Sequence, residues 1–215
     1  RYSKAFKLEK FLEMQSGSMG PKDVEKLLGG FGKVNPIIPM ETPYGYRCKV
    51  QAVFRSDKNG KIISGVYQSS RCGIVGIDRC MVNDPRADEI ILGIKELMRS
   101  FKIEPWNPGT ERGFLKHVLI RIGKRTGEIL VTFVGGSTMF PKKHDFTAAL
   151  VKKYPAITSV TFSVNTDPEM MLPGQHIGVL YGNGYIIDEI CGKKFRISPQ
   201  SFYQVNPVQA ERLYE

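Results

Sequence analysis

Paired stretches of alternating apolar and polar residues, joined by glycine-bearing turns, constrain the folding of this 215-residue chain most. Val50, Ala52 and Phe54 alternate with polar partners, Asp57-Lys-Asn-Gly60 supplies a turn, and Ile62 to Tyr67 returns. Residues 47–68 therefore read as a hairpin. A second hairpin is expected from Val118, Ile120 and Ile122, through Lys124-Arg-Thr-Gly127, to Ile129, Val131 and Phe133. Ser159 to Val164 reads as another strand. A last hairpin is expected over 178–190 about Gly182-Asn-Gly184, with a turn at Gly192-Lys193 before a strand from Lys194 to Ile197. Helical spacing takes over elsewhere. Asp84-Pro85 caps a long helix that carries Ile90, Ile91, Ile94, Leu97, Met98 and Phe101 on one face, and residues 141–153 read as another. Near the N-terminus, 3–14 and 21–28 have amphipathic spacing, broken by Ser16-Gly-Ser-Met-Gly20. Hairpins outnumber βαβ units, so the expected class is α+β, a largely antiparallel sheet with helices packed on it.

Charge narrows the partners. The chain carries 31 Lys and Arg against 21 Asp and Glu, a formal +10 with a pI near 9.4. That balance suits a polyanion, because each cation that neutralises a phosphate also releases a counterion. No run is as apolar and long as a membrane span, and no N-terminal block reads as a signal peptide, so a cytoplasmic, monomeric protein without a membrane partner is expected. Cys48, Cys72, Cys80 and Cys191 form no CxxC pair and no zinc spacing. His117, His144 and His176 have no neighbouring Ser/Asp or Cys arrangement that would make a triad, and no phosphate-cradling glycine motif follows a strand. The chain offers no catalytic residue of its own.

The stretch from Lys194 to Tyr214 is the most informative. A half-buried strand ends at Ser198-Pro199, because proline cannot donate to a ladder. Asn206-Pro207 opens a helix, with Gln209 placed for a capping box. Between them, Ser201-Phe202-Tyr203-Gln204 offers two aromatic faces and one amide, groups able to stack a planar ring and read its edge. Phe195-Arg-Ile-Ser-Pro-Gln-Ser-Phe-Tyr-Gln-Val-Asn206 resembles the junction motif of the S-adenosylmethionine-dependent RNA uracil-5-methyltransferases, which act on 23S ribosomal RNA or tRNA. Pro43-Tyr-Gly-Tyr-Arg-Cys-Lys49, Gly113-Phe-Leu-Lys-His-Val-Leu-Ile-Arg121 and Leu180-Tyr-Gly182 extend the resemblance, in order, over roughly residues 21–215.

The resemblance implies an N-terminal helical segment at 1–33 and a central RNA-binding α+β domain at 34–198. Residues 199–215 would be the junction and first helix of a Rossmann-like methyltransferase domain, truncated here. In the implied reaction a cysteine thiolate adds to uracil C6 and makes C5 nucleophilic toward the sulfonium methyl; a base then removes the C5 proton. The family's nucleophile and base lie in the part beyond Glu215, so the chain alone is expected to bind RNA without turnover. Gln204 matches the family's glutamine near S-adenosylmethionine, and Phe202 an aromatic able to stack on an extruded base. Arg47, Lys49, His117 and Arg121 match basic RNA-contacting segments, although Cys48 replaces the family's asparagine. Lys116 and Arg121, an odd number of residues apart, should face opposite sides of a regular strand. Cys80 falls where many members carry the last of four [4Fe–4S] ligands; without the other three it is an orphaned ligand, and a cluster is expected only in a longer protein. The expected partner is structured RNA, 23S ribosomal RNA ahead of tRNA. A second reading is a non-catalytic basic RNA-binding module.

Overall fold

The computed structural model describes residues 38–68, 73–167 and 173–215, with positions 22, 23, 26 and 30. The helix expected over 3–14 lies outside the described residues; of the one expected over 21–28, Lys22, Asp23 and Lys26 are described and helical. Thr42–Glu215 form one compact unit, separate from Arg1–Glu41.

The first hairpin forms as its turn chemistry requires. Strands β1 (Lys49–Ser56) and β2 (Ile62–Tyr67) pair antiparallel. Asp57 Oδ1 accepts the backbone N–H groups of Asn59 at 2.9 Å and Lys61 at 2.8 Å, and Gly60 takes φ +76°. A short β3 (Ile74–Gly76) adds to β2. The long helix α1 (Pro85–Phe101) starts at Asp84, whose carboxylate accepts the Arg86 N–H at 3.1 Å. The second hairpin is β4 (Leu115–Ile122) and β5 (Ile129–Gly135). Helix α2 (Lys143–Lys153) then crosses over to β6 (Ile157–Val164), which lies parallel to β5. With β7 (Ile177–Tyr181) the order is β3-β2-β1-β4-β5-β6-β7, antiparallel except for that one pair. The α+β architecture expected from the hairpins is the one observed.

The period of two decides which residues share a face, and both faces of β4 and β5 are buried. Val50, Ala52 and Phe54 share a core with Val118, Ile120, Val131 and Phe133, covered by Ile90, Ile94 and Met98 of α1 and Phe146 and Leu150 of α2. Phe133 and Phe101 both meet the Phe146 ring edge-on, with centroids 5.6 and 5.5 Å apart. The opposite phase of the same strands carries Lys49 facing Arg121, Gln51 facing Leu119, and Thr132, whose hydroxyl lies 2.8 Å from that of Thr161.

One hairpin departs from expectation. β7 pairs with β6, whereas β8 (Ile186–Ile190) pairs with β9 (Lys193–Ile197) in a separate two-stranded ribbon, so 178–190 is a change of sheet and not a hairpin. The Gly182-Asn-Gly184 turn is held to β6 instead. The Ser159 hydroxyl donates to the Tyr181 carbonyl at 3.1 Å and accepts the Gly184 N–H at 2.8 Å. Gly182 takes φ +69°, and a Cβ there would fall 2.0 Å from the Thr158 carbonyl oxygen. The ribbon turns at Cys191-Gly192, one residue before the expected place, with φ of +48° and +69°, as a two-residue hairpin loop requires. Helix α3 (Pro207–Tyr214) follows, with Asn206 Oδ1 accepting the Gln209 N–H at 3.2 Å.

Candidate nucleic-acid interface

Residues 198–206 form the junction between β9 and α3, and it is tied down at four places. Ser198 and Ser201 close a turn about Pro199, with their hydroxyl oxygens 2.8 Å apart and the Ser198 N–H donating to Ser201 Oγ at 3.0 Å. Arg121, buried on β4, donates to the Pro199 carbonyl at 3.1 Å and to the Ser201 carbonyl. The Tyr203 hydroxyl donates to Asp188 Oδ2 at 2.9 Å. At the start of β1, Cys48 donates its N–H to the Val205 carbonyl at 2.9 Å and its thiol to the Gln204 carbonyl at 3.3 Å. Burial pushes the Cys48 thiol up to about 11, with the Asp188 charge adding to it. Tyr203 is half-buried with its hydroxyl turned inward, so the two aromatic rings of the junction differ in exposure. Phe202 stands 87% exposed beside it.

Asp188 is fully buried and serves as the anchor. Its carboxylate accepts the backbone N–H groups of Lys124 at 3.0 Å, Arg125 at 2.9 Å and Thr126 at 3.4 Å, besides the Tyr203 hydroxyl. The β4–β5 turn is thus an anion nest filled by a carboxylate from β8. Burial, then the bond to Asp188, drives the Tyr203 hydroxyl well above its ordinary pKa, so it stays a donor. Arg125 and α3 are joined by the ion pair to Glu211 at 2.6 Å, whose other oxygen accepts the Cys191 N–H at 3.0 Å.

The basic residues lie beside this junction. Arg47 is exposed and its Nε donates to the Lys49 carbonyl at 3.1 Å. Lys49 is half-buried; burial lowers its pKa, and the Arg121 and Arg47 charges lower it further. β1 pairs with β2 only from Val53 onward, so the two strands diverge toward Lys49. A cleft of about 470 Å³ opens there, lined among others by Arg47, Lys49, Tyr67, Cys80, Asn83 and Val205. Beneath it Asp84 accepts from Arg86 and, at 2.7 Å, from Lys124 Nζ, which also donates to the Gly45 carbonyl at 2.7 Å. Burial disfavours the Asp84 charge, but the bonds from Arg86 and Lys124 outweigh it and hold the carboxyl at about 2.

No family model matches the chain. It is 36% identical over 183 residues to an uncharacterized RNA methyltransferase of Oceanobacillus iheyensis, covering 85% of the chain and 40% of that relative. An uncharacterized RNA methyltransferase of Halalkalibacterium halodurans is 36% identical over 199 residues, 90% of the chain and 43% of the relative. Among solved structures, the Pyrococcus abyssi tRNA (uracil-54, C5)-methyltransferase in complex with S-adenosyl-L-homocysteine superimposes with a TM-score of 0.71 at 27% identity. That match covers 89% of this chain and 44% of that one. Over the matched span the chain is similar in sequence and in fold to RNA methyltransferases. It spans about 40% to 44% of the length of the curated relatives it matches.

Within this chain, Arg47 and Lys49 flank Cys48, which bonds the Gln204 and Val205 carbonyls two and three residues after Phe202, and Arg121 holds the carbonyls of Pro199 and Ser201. Arg121 faces inward, 3% exposed, and its Nη2 donates to the two junction carbonyls. His117 is on the same strand face, opposite Val53, but is itself buried. Lys116 sits at a β-bulge between Leu115 and His117, buried, with its Nζ on the carbonyls of Asn165 and Asp167. Gln204 is half-buried, and its Nε2 donates to the Tyr214 hydroxyl at 3.3 Å. Cys80 is half-buried and donates its N–H to Asp88 at 2.8 Å. Among the described residues no group of three or more His, Cys, Asp or Glu is placed to hold a metal ion, and Cys72 lies outside them. No described helix is long and apolar enough to cross a membrane. Asp188, Cys48 and Lys124 were not singled out as site residues in the sequence. One signal was available for Asp188: it occupies the apolar phase of Ile186, Asp188, Ile190.

Proposed function

We propose that this chain is the RNA-binding part of an enzyme that transfers a methyl group from S-adenosylmethionine to C5 of a uridine in structured RNA. The observation that carries the reading is the junction itself. An exposed aromatic and an amide flank an inward tyrosine, next to the exposed Arg47 and half-buried Lys49. In this reading residues 34–198 bind RNA, and 199–215 begin the catalytic domain. Arg47 and Lys49 pair with phosphates, and Phe202 stacks on an extruded base or its neighbour. Arg121 acts from below by fixing the Pro199 and Ser201 carbonyls. The proposed substrate is 23S ribosomal RNA; the likeness to the Pyrococcus abyssi tRNA (uracil-54, C5)-methyltransferase makes tRNA the alternative.

Gln204 fits one hydrogen-bonding contact to the cofactor, and one amide is too little to hold it. S-adenosylmethionine, when bound, supplies the electrophilic methyl group. Cys48 is not proposed as the nucleophile: its thiol is buried, pushed up to about 11 and bonded to the Gln204 carbonyl. The chain by itself is proposed to bind RNA without turnover. A non-catalytic RNA-binding module is the second reading, favoured by the net charge of +10.

Binding of the chain to a uridine-containing stem-loop across a salt titration tests the RNA reading. Affinity should fall with salt, and Arg47→Ala should lower it and flatten the slope by about one phosphate's worth. Absence of salt-dependent binding would sink it. Methyl transfer from labelled S-adenosylmethionine to RNA, assayed with a longer protein that contains this chain, separates the enzyme from the module.

A further inference from the structure

Strand β8 of the ribbon anchors the junction through Asp188, and the outer strand, β9, is built in an unusual way. Lys193, Lys194, Phe195 and Arg196 are all exposed, four residues in succession. Among the described residues β9 has a strand partner on one edge only. Lysines on an edge strand are ordinary, since they discourage pairing with another chain. An aromatic among them is not, because an exposed ring on an open edge invites the association that the charges oppose. Phe195 is 44% exposed, and its ring centroid lies 6.2 Å from that of Tyr203, next to Phe202 on the junction. On the other face, the Arg196 guanidinium lies 4.0 Å over the Tyr185 ring, which holds its plane in place. Glu189 stands opposite Lys194 and offsets one of the three cations; Asp188, opposite Phe195, is buried and saturated by four donors.

We propose that β9 is a single-stranded RNA-binding edge that continues the surface at Phe202. Lys193, on the face of Phe195, and Lys194, on the opposite face, meet phosphates along the open edge, and Phe195 gives a base a stacking platform, the combination of charge and aromatic faces that unpaired nucleic acid takes. The partner is RNA only if the proposed function is right, so the test keeps the two apart.

Binding of the chain to a uridine-containing single-stranded 12-mer and to a duplex of the same length is measured by fluorescence anisotropy between low and high salt. Unfolding curves run alongside as a check on folding. Lys193→Ala with Lys194→Ala should flatten the plot of log affinity against log salt by about 1 to 1.5 for the single strand. Phe195→Ala should weaken single-strand binding by roughly 5- to 100-fold, a loss that persists at high salt, and leave duplex binding nearly unchanged. Suppose the wild type binds with salt dependence, Arg47→Ala weakens it, and the ribbon variants match wild type. Then the ribbon proposal is wrong while the RNA reading survives. Equal losses on single strand and duplex would also overturn it, leaving a general polyanion surface. If the wild type binds neither RNA, both readings fall together.

Discussion

Tyr203 donates to the buried carboxylate of Asp188 over 2.9 Å, and this single bond sets the orientation of its neighbours in the chain. Beside the inward Tyr203 hydroxyl, Phe202 stands 87% exposed. Asp188 in turn is held by three backbone N–H groups of the β4–β5 turn. The position of the exposed aromatic is therefore fixed from the sheet.

Tyr203→Phe should cost about 1–2 kcal/mol in urea unfolding, because one donor to a charged acceptor is lost while the ring stays packed. Asp188→Asn should cost more, about 2–4 kcal/mol, since its amide turns donors toward donors in a site closed to water. The reverse order of the two losses would contradict the anchor role of Asp188.

Phe202→Ala should leave stability within about 0.5 kcal/mol of wild type, as expected for a side chain in solvent. Were Phe202 a core anchor of the junction, truncation would instead lower the unfolding midpoint clearly. A simultaneous loss of RNA affinity at unchanged stability would identify it as a contact residue.

The Asp84 carboxyl is held at about 2 against an ordinary value of 3.8. Its folded-state pKa is depressed, so the stabilisation is present above about pH 4 and is lost as pH falls toward 2. Asp84→Asn, which keeps a helix cap, should be less stable than wild type at pH 7 by about 1–2 kcal/mol. The two stabilities should converge near pH 2. A difference independent of pH, followed by circular dichroism of acid titrations, would rule out this origin.

Thiol accessibility should follow burial. Cys191 is exposed at the ribbon turn, whereas Cys48 is buried with its thiol pushed up to about 11. A chromogenic disulfide reagent at pH 8 should modify Cys191 in the native protein and reach Cys48 only on unfolding. Reaction of both at similar rates would mean that the junction opens under native conditions.

Much of this was legible residue by residue. The Asp57–Gly60 and Lys124–Gly127 turns, the Asp84-Pro85 and Asn206-Pro207 caps, and the strand end at Ser198-Pro199 all form where local chemistry places them. Each depends on groups within a few residues of one another. The motifs around Phe202 and Arg121 also led to the family that the relatives support. Less legible was any property set by a distant partner. Gly182-Asn-Gly184 has the composition of a hairpin turn, but the Ser159 hydroxyl holds it to β6 and the chain changes sheets.

The sequence by itself determined the first two hairpins, the helix caps, the basic balance and the junction motif, because alternation, proline, glycine and capping side chains act over short range. Only the tertiary structure decided that Arg121 and Asp188 point inward, that the Tyr203 hydroxyl is bonded to Asp188, and that Cys48 closes on Gln204. A period of two says which residues share a face of a strand. What covers that face is settled by segments as much as 156 residues apart, as between Cys48 and Gln204, and no local pattern encodes that meeting.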